Sequence, residues 1–216
     1  MSERFLTVMG KGSISVKPDL IVMSMKLTTA TSEYANTMER AASEAEALKN
    51  ALISIGYNEK SLKTTDFHVS MEYNRIKDAK GNWIQKFEGY KCTHSLKLEF
   101  DLDMKRLGET LTAIAACGTA PVFQIVFSVK DKNAVSAQLL ENAVSNAKEK
   151  AAVLARAAGV QLGVIQRIEY SWGKLRLCSE TRFNDAMHCA AATAAIEMEP
   201  EDIKIDDTVT VVWAIE

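Results

Sequence analysis

Antiparallel sheets with long amphipathic helices packed on one side, an α+β arrangement, are what this sequence predicts, and three observations predict it. Several long stretches alternate apolar and polar residues with the period of two that a half-buried strand requires. Three other stretches switch to the 3.6-residue period of a helix with one apolar face. Glycines and a Pro-Asp turn punctuate the changes of period.

The elements follow in order. "SISVKPDLIVMSMKL" reads as two strands about a tight turn at Lys17-Pro18-Asp19, since Pro presets the turn dihedral and Asp accepts local backbone bonds. In the second strand Ile21, Met23, Met25 and Leu27 alternate with Val22, Ser24, Lys26 and Thr28. Over residues 33–55, Tyr34, Met38, Ala41, Ala45, Leu48, Leu52 and Ile55 lie on one helical stripe that Gly56 closes. Phe67, Val69, Met71 and Tyr73 then alternate with polar neighbours. After the turn "KDAKGN" a second long strand runs from Trp83 to Phe100, and the two are expected to pair as a hairpin.

Asp103 is a helix cap, with Met104, Leu107, Leu111, Ile114 and Ala115 facing inward and Gly118 as the stop. Phe123, Ile125, Phe127 and Val129 form another strand. The alanine-rich stretch that opens near Asn133 and closes at Gly159 is a helix whose buried side is Val135, Leu139, Ala143, Ala147, Ala151, Leu154 and Ala158. Alanines let a helix axis approach a sheet closely while keeping helix propensity high. Residues 164–172 read as a strand and 173–200 as irregular, with an unplaced "AAATAA" run. Ile203, Ile205, Val209, Val211, Trp213 and Ile215 make a strongly alternating last strand.

The chain of 216 residues is 47% hydrophobic and 25% charged with a net charge of −2, the composition of a globular protein. That balance gives no electrostatic footprint for nucleic acid, and no Lys/Arg cluster along a single face suggests an anionic membrane. No stretch reaches the length of a membrane span. The start "MSERFLTVMGKG" has charges and then alternation instead of the apolar core of a secretory leader. Cys92, Cys117, Cys178 and Cys189 show no CxxC spacing and suit reduced thiols, so a cytoplasmic location is expected.

At an offset of 103 residues, Ala41, Leu48, Leu52, Ile55, Gly56, Leu62 and Phe67 match Val144, Ala151, Ala155, Ala158, Gly159, Ile165 and Tyr170. Helix, glycine and strand recur with the same inward positions, which suggests similar halves, 1–103 and 104–216, fused in a single domain over 1–216.

The order of elements also resembles a known family. "VMGKGSISVKPDL", "GYKCTHSLKLEF", "NAVSNAKEKAAVLARAAGVQLG" and "DTVTVVWAI", in this order and spacing, look like the SIMPL-domain family of bacterial periplasmic and cytoplasmic proteins, named after an animal protein associated with a Pelle-like kinase. The resemblance covers nearly all of residues 5–216. It implies an α+β fold of antiparallel strands with helices on one side and a tendency toward homo-oligomers. It does not imply an enzyme, because the family has no established catalytic residues; bacterial members are linked to oxidative-stress tolerance and the animal one to signalling. The chain departs from the family in its start, where many relatives carry an export signal, and at Pro200-Glu201, usually Pro-Gly.

Few residues invite a chemical reading. Cys92 and His94, two apart on a strand, share a face with Tyr90 and Leu96; with His188-Cys189 they would make a Cys/His zinc set, but the spacing is that of no finger or ribbon. The expected reading is a hydrogen-bonded histidine beside a buried thiol. Cys117 falls at a helix C-terminus, where the dipole disfavours negative charge, while Cys178 and Cys189 fall where oxidants can reach a loop. Gly10-Lys11-Gly12 lacks the third glycine and following helix of a phosphate loop, so a strand bulge is expected.

Glu199, Glu201, Asp202, Asp206 and Asp207 read as solvated carboxylates, Met23, Met25, Met71, Phe123 and Phe127 as core, and Lys148-Glu149-Lys150 as an exposed helix face. The sequence therefore assigns no catalytic, cofactor-binding or metal-ligating residue. It predicts a non-enzymatic, homo-oligomeric binding or scaffold protein with an unidentified protein or small-molecule partner, joined through strand edges that must be paired or covered. Two alternatives stand beside it: a thiol-dependent enzyme using Cys92 or Cys189 with His94 or His188, and a small-molecule or peptide carrier with a cavity between sheet and helices.

Overall fold

The computed structural model describes residues 4–77, 79–171, 173, 175–185 and 199–216. In chain order these form β1 (Phe5–Val16), β2 (Leu20–Thr31), α1 (Tyr34–Ser54), β3 (Leu62–Lys77), β4 (Trp83–Asp101), α2 (Met104–Ala116), β5 (Val122–Ser128), α3 (Lys132–Ala158), β6 (Leu162–Glu169), β7 (Cys178–Asp185) and β8 (Ile203–Ile215). The α+β class is as the alternation and the helical stripes imply. The helices are of moderate length, 21, 13 and 27 residues.

The chain folds as two compact units that interleave in sequence. One comprises Met1–Asp19, Ser128–Glu180 and Pro200–Glu216; the other comprises Leu20–Phe127 and Thr181–Glu199. Each holds one helix–glycine–strand passage: α1, Gly56 and β3 in one, α3, Gly159 and β6 in the other. The Pro18-Asp19 turn joins two strands that do not pair with each other. β1 pairs with β8 and β2 with β4, both antiparallel. Asp19 anchors the turn by donating its amide to the Ser128 carbonyl and accepting the Lys130 amide at Oδ1 (3.0 and 2.8 Å).

In the first unit a three-stranded sheet of order β1-β8-β6 carries α3 on one face. Val8, Val209, Val211 and Trp213 meet Ala143, Ala147 and Ala151, which are fully buried. The "GKG" stretch is not a bulge: β1 keeps an unbroken register with β8 from Phe5↔Ala214 to Val16↔Ile203. Its glycines serve close approach instead. A Cβ on Gly10 would collide with the Ala143 carbonyl oxygen and lie 2.7 Å from both N and Cβ of Ala147; one on Gly12 would strike the Leu139 carbonyl oxygen. The alanines of α3 thus seat the helix backbone directly on glycine backbone.

That contact corrects the expected helix stripe. The buried positions run Leu139, Ala143, Ala147, Ala151 and Ala155 at a strict spacing of four, so Leu154 is 47% exposed and Ala158 is exposed. Asp131 caps the N-terminus through the Ala134 amide (2.8 Å), and Gly159 closes the C-terminus at φ 68° in the left-handed region.

The second unit is built on the sheet of order β3-β4-β2-β5-β7, with α1 against β2 and β4 and α2 beside α1. Its core is Ile21, Met23, Met25, Leu48, Leu52, Leu98, Leu107, Ile125 and Phe127. The β3–β4 hairpin forms as the alternation implies, with bulges between Thr64 and Asp66 and between Glu72 and Tyr73. Asp103 Oδ1 caps α2 through the Arg106 amide (3.0 Å). Inside α2, Thr110 is buried where Ala115 is exposed, because the Thr110 hydroxyl bonds to Tyr57 (2.8 Å). The stretch expected to be irregular holds β7; His188, Cys189 and the "AAATAA" run lie outside the described residues.

Candidate interaction surfaces

Cys92 and His94 share one face of β4, opposite Val69 and Phe67 of β3 and Thr29 and Leu27 of β2. Cys92 is 1% exposed, and burial, reinforced by the Glu44 carboxylate, pushes its thiol pKa up. A thiol held protonated is a poor nucleophile and a poor metal ligand. His94 is half-buried, with Nε2 2.9 Å from the Thr64 hydroxyl and its ring edge-on to Phe67 at 5.1 Å; burial lowers its pKa. These are the contacts of a packed histidine. Among the described residues no group of three His, Cys, Asp or Glu side chains is placed to hold a metal ion. Cys117 Sγ bonds to the Ile114 carbonyl and the Thr119 hydroxyl, and Cys178 is a half-buried free thiol on β7.

The carboxylates expected to be solvated take specific bonds on the first unit's sheet. Asp206 pairs with Lys11 (3.1 Å), Asp202 accepts from Ser15 (3.2 Å), and Asp207 accepts from the Tyr170 hydroxyl (2.8 Å). The first joins β1 to β8, the second ties β1 to the residue just before β8, and the last reaches residue 170 beyond β6.

A second set of bonds escapes the sequence reading. β1 is an outer strand, and α3 lies so close to it that helix side chains reach its backbone. Asn146 Oδ1 accepts the Lys11 amide (3.0 Å), Asn142 Nδ2 donates to the Ser13 carbonyl (3.3 Å), and Lys150 Nζ donates to the Met9 carbonyl (3.2 Å). Lys150 is therefore turned onto the strand rather than left on a purely solvated face. Residues 142, 146 and 150 form a polar row one position before the alanines 143, 147 and 151, and that adjacency is the signal that would have revealed them.

The other outer strand of this sheet differs. All of β6 after Leu162 is exposed, including Val164 (68%), Ile165 (40%) and Ile168 (53%), and among the described residues it carries no such row of helix side chains. In the second unit, α1 begins at Tyr34, whose ring meets Tyr90 edge-on at 5.5 Å. Beyond that contact the hairpin face bearing Met71, Tyr73 and Phe87 is exposed, which corrects the expectation of a core Met71. Tyr73 and Tyr90 each pack edge-on against Phe87, at 5.6 and 5.3 Å.

Behind the second bulge, Gly89 at φ 152° passes so near the Thr31 carbonyl oxygen that no Cβ fits. Here an open cleft of about 370 Å³ is lined by Thr31, Ser32, Glu72, Glu88, Tyr90 and Lys91. Glu72 pairs with Lys91 (3.6 Å) and Glu88 accepts from Asn74 (2.9 Å). The cleft lies where the end of β2 meets the β3–β4 hairpin rather than between sheet and helices, where the carrier reading expects a cavity.

The family model described as "SIMPL: Protein of unknown function (DUF541)" matches residues 6–213. The chain belongs to the SIMPL family. The match takes in both units of the SIMPL chain, from within β1 to within β8, so the glycine-on-alanine contact and the hairpin both lie within it. No curated protein matches the sequence. No helix of the described SIMPL residues is long and apolar enough to cross a membrane.

Proposed function

We propose that this SIMPL protein is a non-enzymatic, homo-oligomeric binding or scaffold protein of the cytoplasm whose copies join along β6. The difference between the two outer strands of the first sheet carries the reading. An outer strand is a template for pairing unless something covers it. On β1, Asn142, Asn146 and Lys150 of α3 take up backbone groups at Met9, Lys11 and Ser13. On β6, three apolar side chains stand in solvent beside an outer edge. Antiparallel pairing of β6 with β6 of a second copy about a two-fold axis would make one continuous sheet and cover Val164, Ile165 and Ile168.

Light scattering across a wide concentration range tests this. The expected result is a mass above that of one chain, falling to a single chain when Val164→Lys and Ile168→Lys are combined, with the circular dichroism spectrum unchanged. A strict monomer at all concentrations, or an oligomer indifferent to both lysines, refutes it.

A further inference from the structure

The far end of the β3–β4 hairpin has a composition that neither the core nor the β6 edge explains. The register pairs Tyr73 with Phe87, Ile76 with Ile84 and Lys77 with Trp83. Alternation then puts Tyr73, Phe87 and Trp83 on one face of the ribbon and Ile76 and Ile84 on the other. Trp83 is 61% exposed and Ile84 44%. Apolar groups therefore project from both faces of the same tip.

Basic residues surround them. Arg75, Lys77, Lys80 and Lys86 fall in this part of the sequence against Asp78 and Glu88, in a chain whose net charge is −2. Spread over twelve positions, they form no run in the sequence, and the hairpin pairing gathers them at one end. Lys77 lies over the Trp83 ring, its ammonium 5.2 Å from the centroid.

We propose that the β3–β4 hairpin tip docks on anionic lipid bilayers. A flat protein surface engages one face of a ribbon, whereas the bilayer interface wets both, as a tip with Trp83 on one side and Ile84 on the other requires. Trp and Tyr favour the headgroup boundary, and lysines bury their stems while keeping their ammonium groups among lipid phosphates. Between the Trp83 and Phe87 pairs the ribbon spans roughly 13 Å, commensurate with interfacial insertion without crossing. This inference is independent of pairing through β6.

Co-sedimentation of the full chain with large unilamellar vesicles tests it, comparing phosphatidylcholine alone with an equimolar mixture of phosphatidylcholine and phosphatidylglycerol. Binding is expected only to the mixture and is expected to fall as salt rises. Each of Lys77→Gln and Lys86→Gln should weaken it about fivefold, the partition change for one interfacial base. Trp83→Ser and Ile84→Ser should each weaken it about tenfold, with unchanged circular dichroism.

Failure to bind the mixture, equal binding to phosphatidylcholine, or binding that survives all four substitutions overturns the proposal. So does a loss confined to Trp83→Ser, which would mark a one-sided protein contact, or a change of oligomer size caused by the tip substitutions, which would make a second copy the occupant. The Val164→Lys/Ile168→Lys variant should still bind the vesicles, which separates this result from the fate of the β6 contact.

Discussion

Replacing Gly10 by alanine adds one methyl group, and the structure sets its cost. That carbon would lie 2.7 Å from both N and Cβ of Ala147 and would collide with the Ala143 carbonyl oxygen. Carbon contacts relax only at about 3.5–4.0 Å, and a helix backbone cannot rotate aside as a long side chain can, so α3 must retreat by roughly 1 Å. The retreat loosens Ala143, Ala147, Ala151 and Val211, all with 0% exposure, and stretches the bonds from Asn146 and Lys150 to β1. Overpacking of this kind costs about 1–3 kcal/mol, the loosened contacts add about 1 kcal/mol, and replacing a strand glycine returns about 0.5–1 kcal/mol. The net loss is about 1–3.5 kcal/mol, a fall of roughly 2–14 °C in Tm for a chain of this size. Urea unfolding followed by circular dichroism measures it. Because the worst collision is with backbone, adding Ala147→Gly should not restore stability and should cost about 1 kcal/mol more through helix propensity. Gly108→Ala, inside α2 with nothing within 4 Å of its would-be Cβ, should stabilise by about 0.5–1 kcal/mol. A Gly10→Ala protein within about 0.5 kcal/mol of wild type, or full rescue by Ala147→Gly, refutes the close approach.

Two further predictions concern the second unit. Arg106 donates from Nη1 to the Ile55 carbonyl at the end of α1 (2.5 Å) and stacks on Tyr57 with its guanidinium carbon 4.2 Å from the ring centroid. Arg106→Ala should cost about 1–2 kcal/mol in urea unfolding, and Arg106→Lys should recover less than half of that, since an ammonium cannot stack and bond as the planar fork does. Burial holds the His94 pKa below its ordinary 6.5, so the unfolded chain binds the proton first: stability is full above that value, falls as pH drops toward the folded pKa, and levels off below it. His94→Gln should remove that component, and an unchanged difference in urea midpoint between neutral and mildly acidic buffer would show that His94 does not contribute it.

Period alone made most of the fold legible. The turn to a spacing of 3.6 marked α1 and α3, and strict alternation marked β4 and β8 nearly to the residue and β2 as far as Thr28. Alternation states which face a side chain takes but not which strand lies beside it. Hence Pro18-Asp19 was readable as a turn, while the partition of β1 to β8 and of β2 to β4 was not. The alanine stripe drifted by one position at Leu154 because an ideal helix prefers mixed steps of three and four. The glycines of β1 seat Leu139, Ala143 and Ala147 at steps of four, and the buried stripe keeps that step through Ala155. The bland reading of Cys92 and His94 was legible from their spacing. The polar row of α3 was not, because Asn142, Asn146 and Lys150 look like solvent-facing helix residues until β1 is brought beneath them.

The exposed hairpin has a geometric cause that no choice of side chains on α1 removes. A helix of 21 residues spans about 32 Å at 1.5 Å per residue, whereas the 19 residues of β4 span about 63 Å at 3.3 Å per residue. One helix lying along the strand can therefore cover about half of it. The Tyr34–Tyr90 contact marks where cover ends, and Tyr73, Trp83 and Phe87 lie beyond it. Solubility alone would favour polar residues on that overhang, and the cross-strand Tyr73–Phe87 pair there contributes at most about 1 kcal/mol to the hairpin. Trp83 and Ile84, exposed beyond that pair with lysines beside them, are the residues the proposed bilayer contact would use.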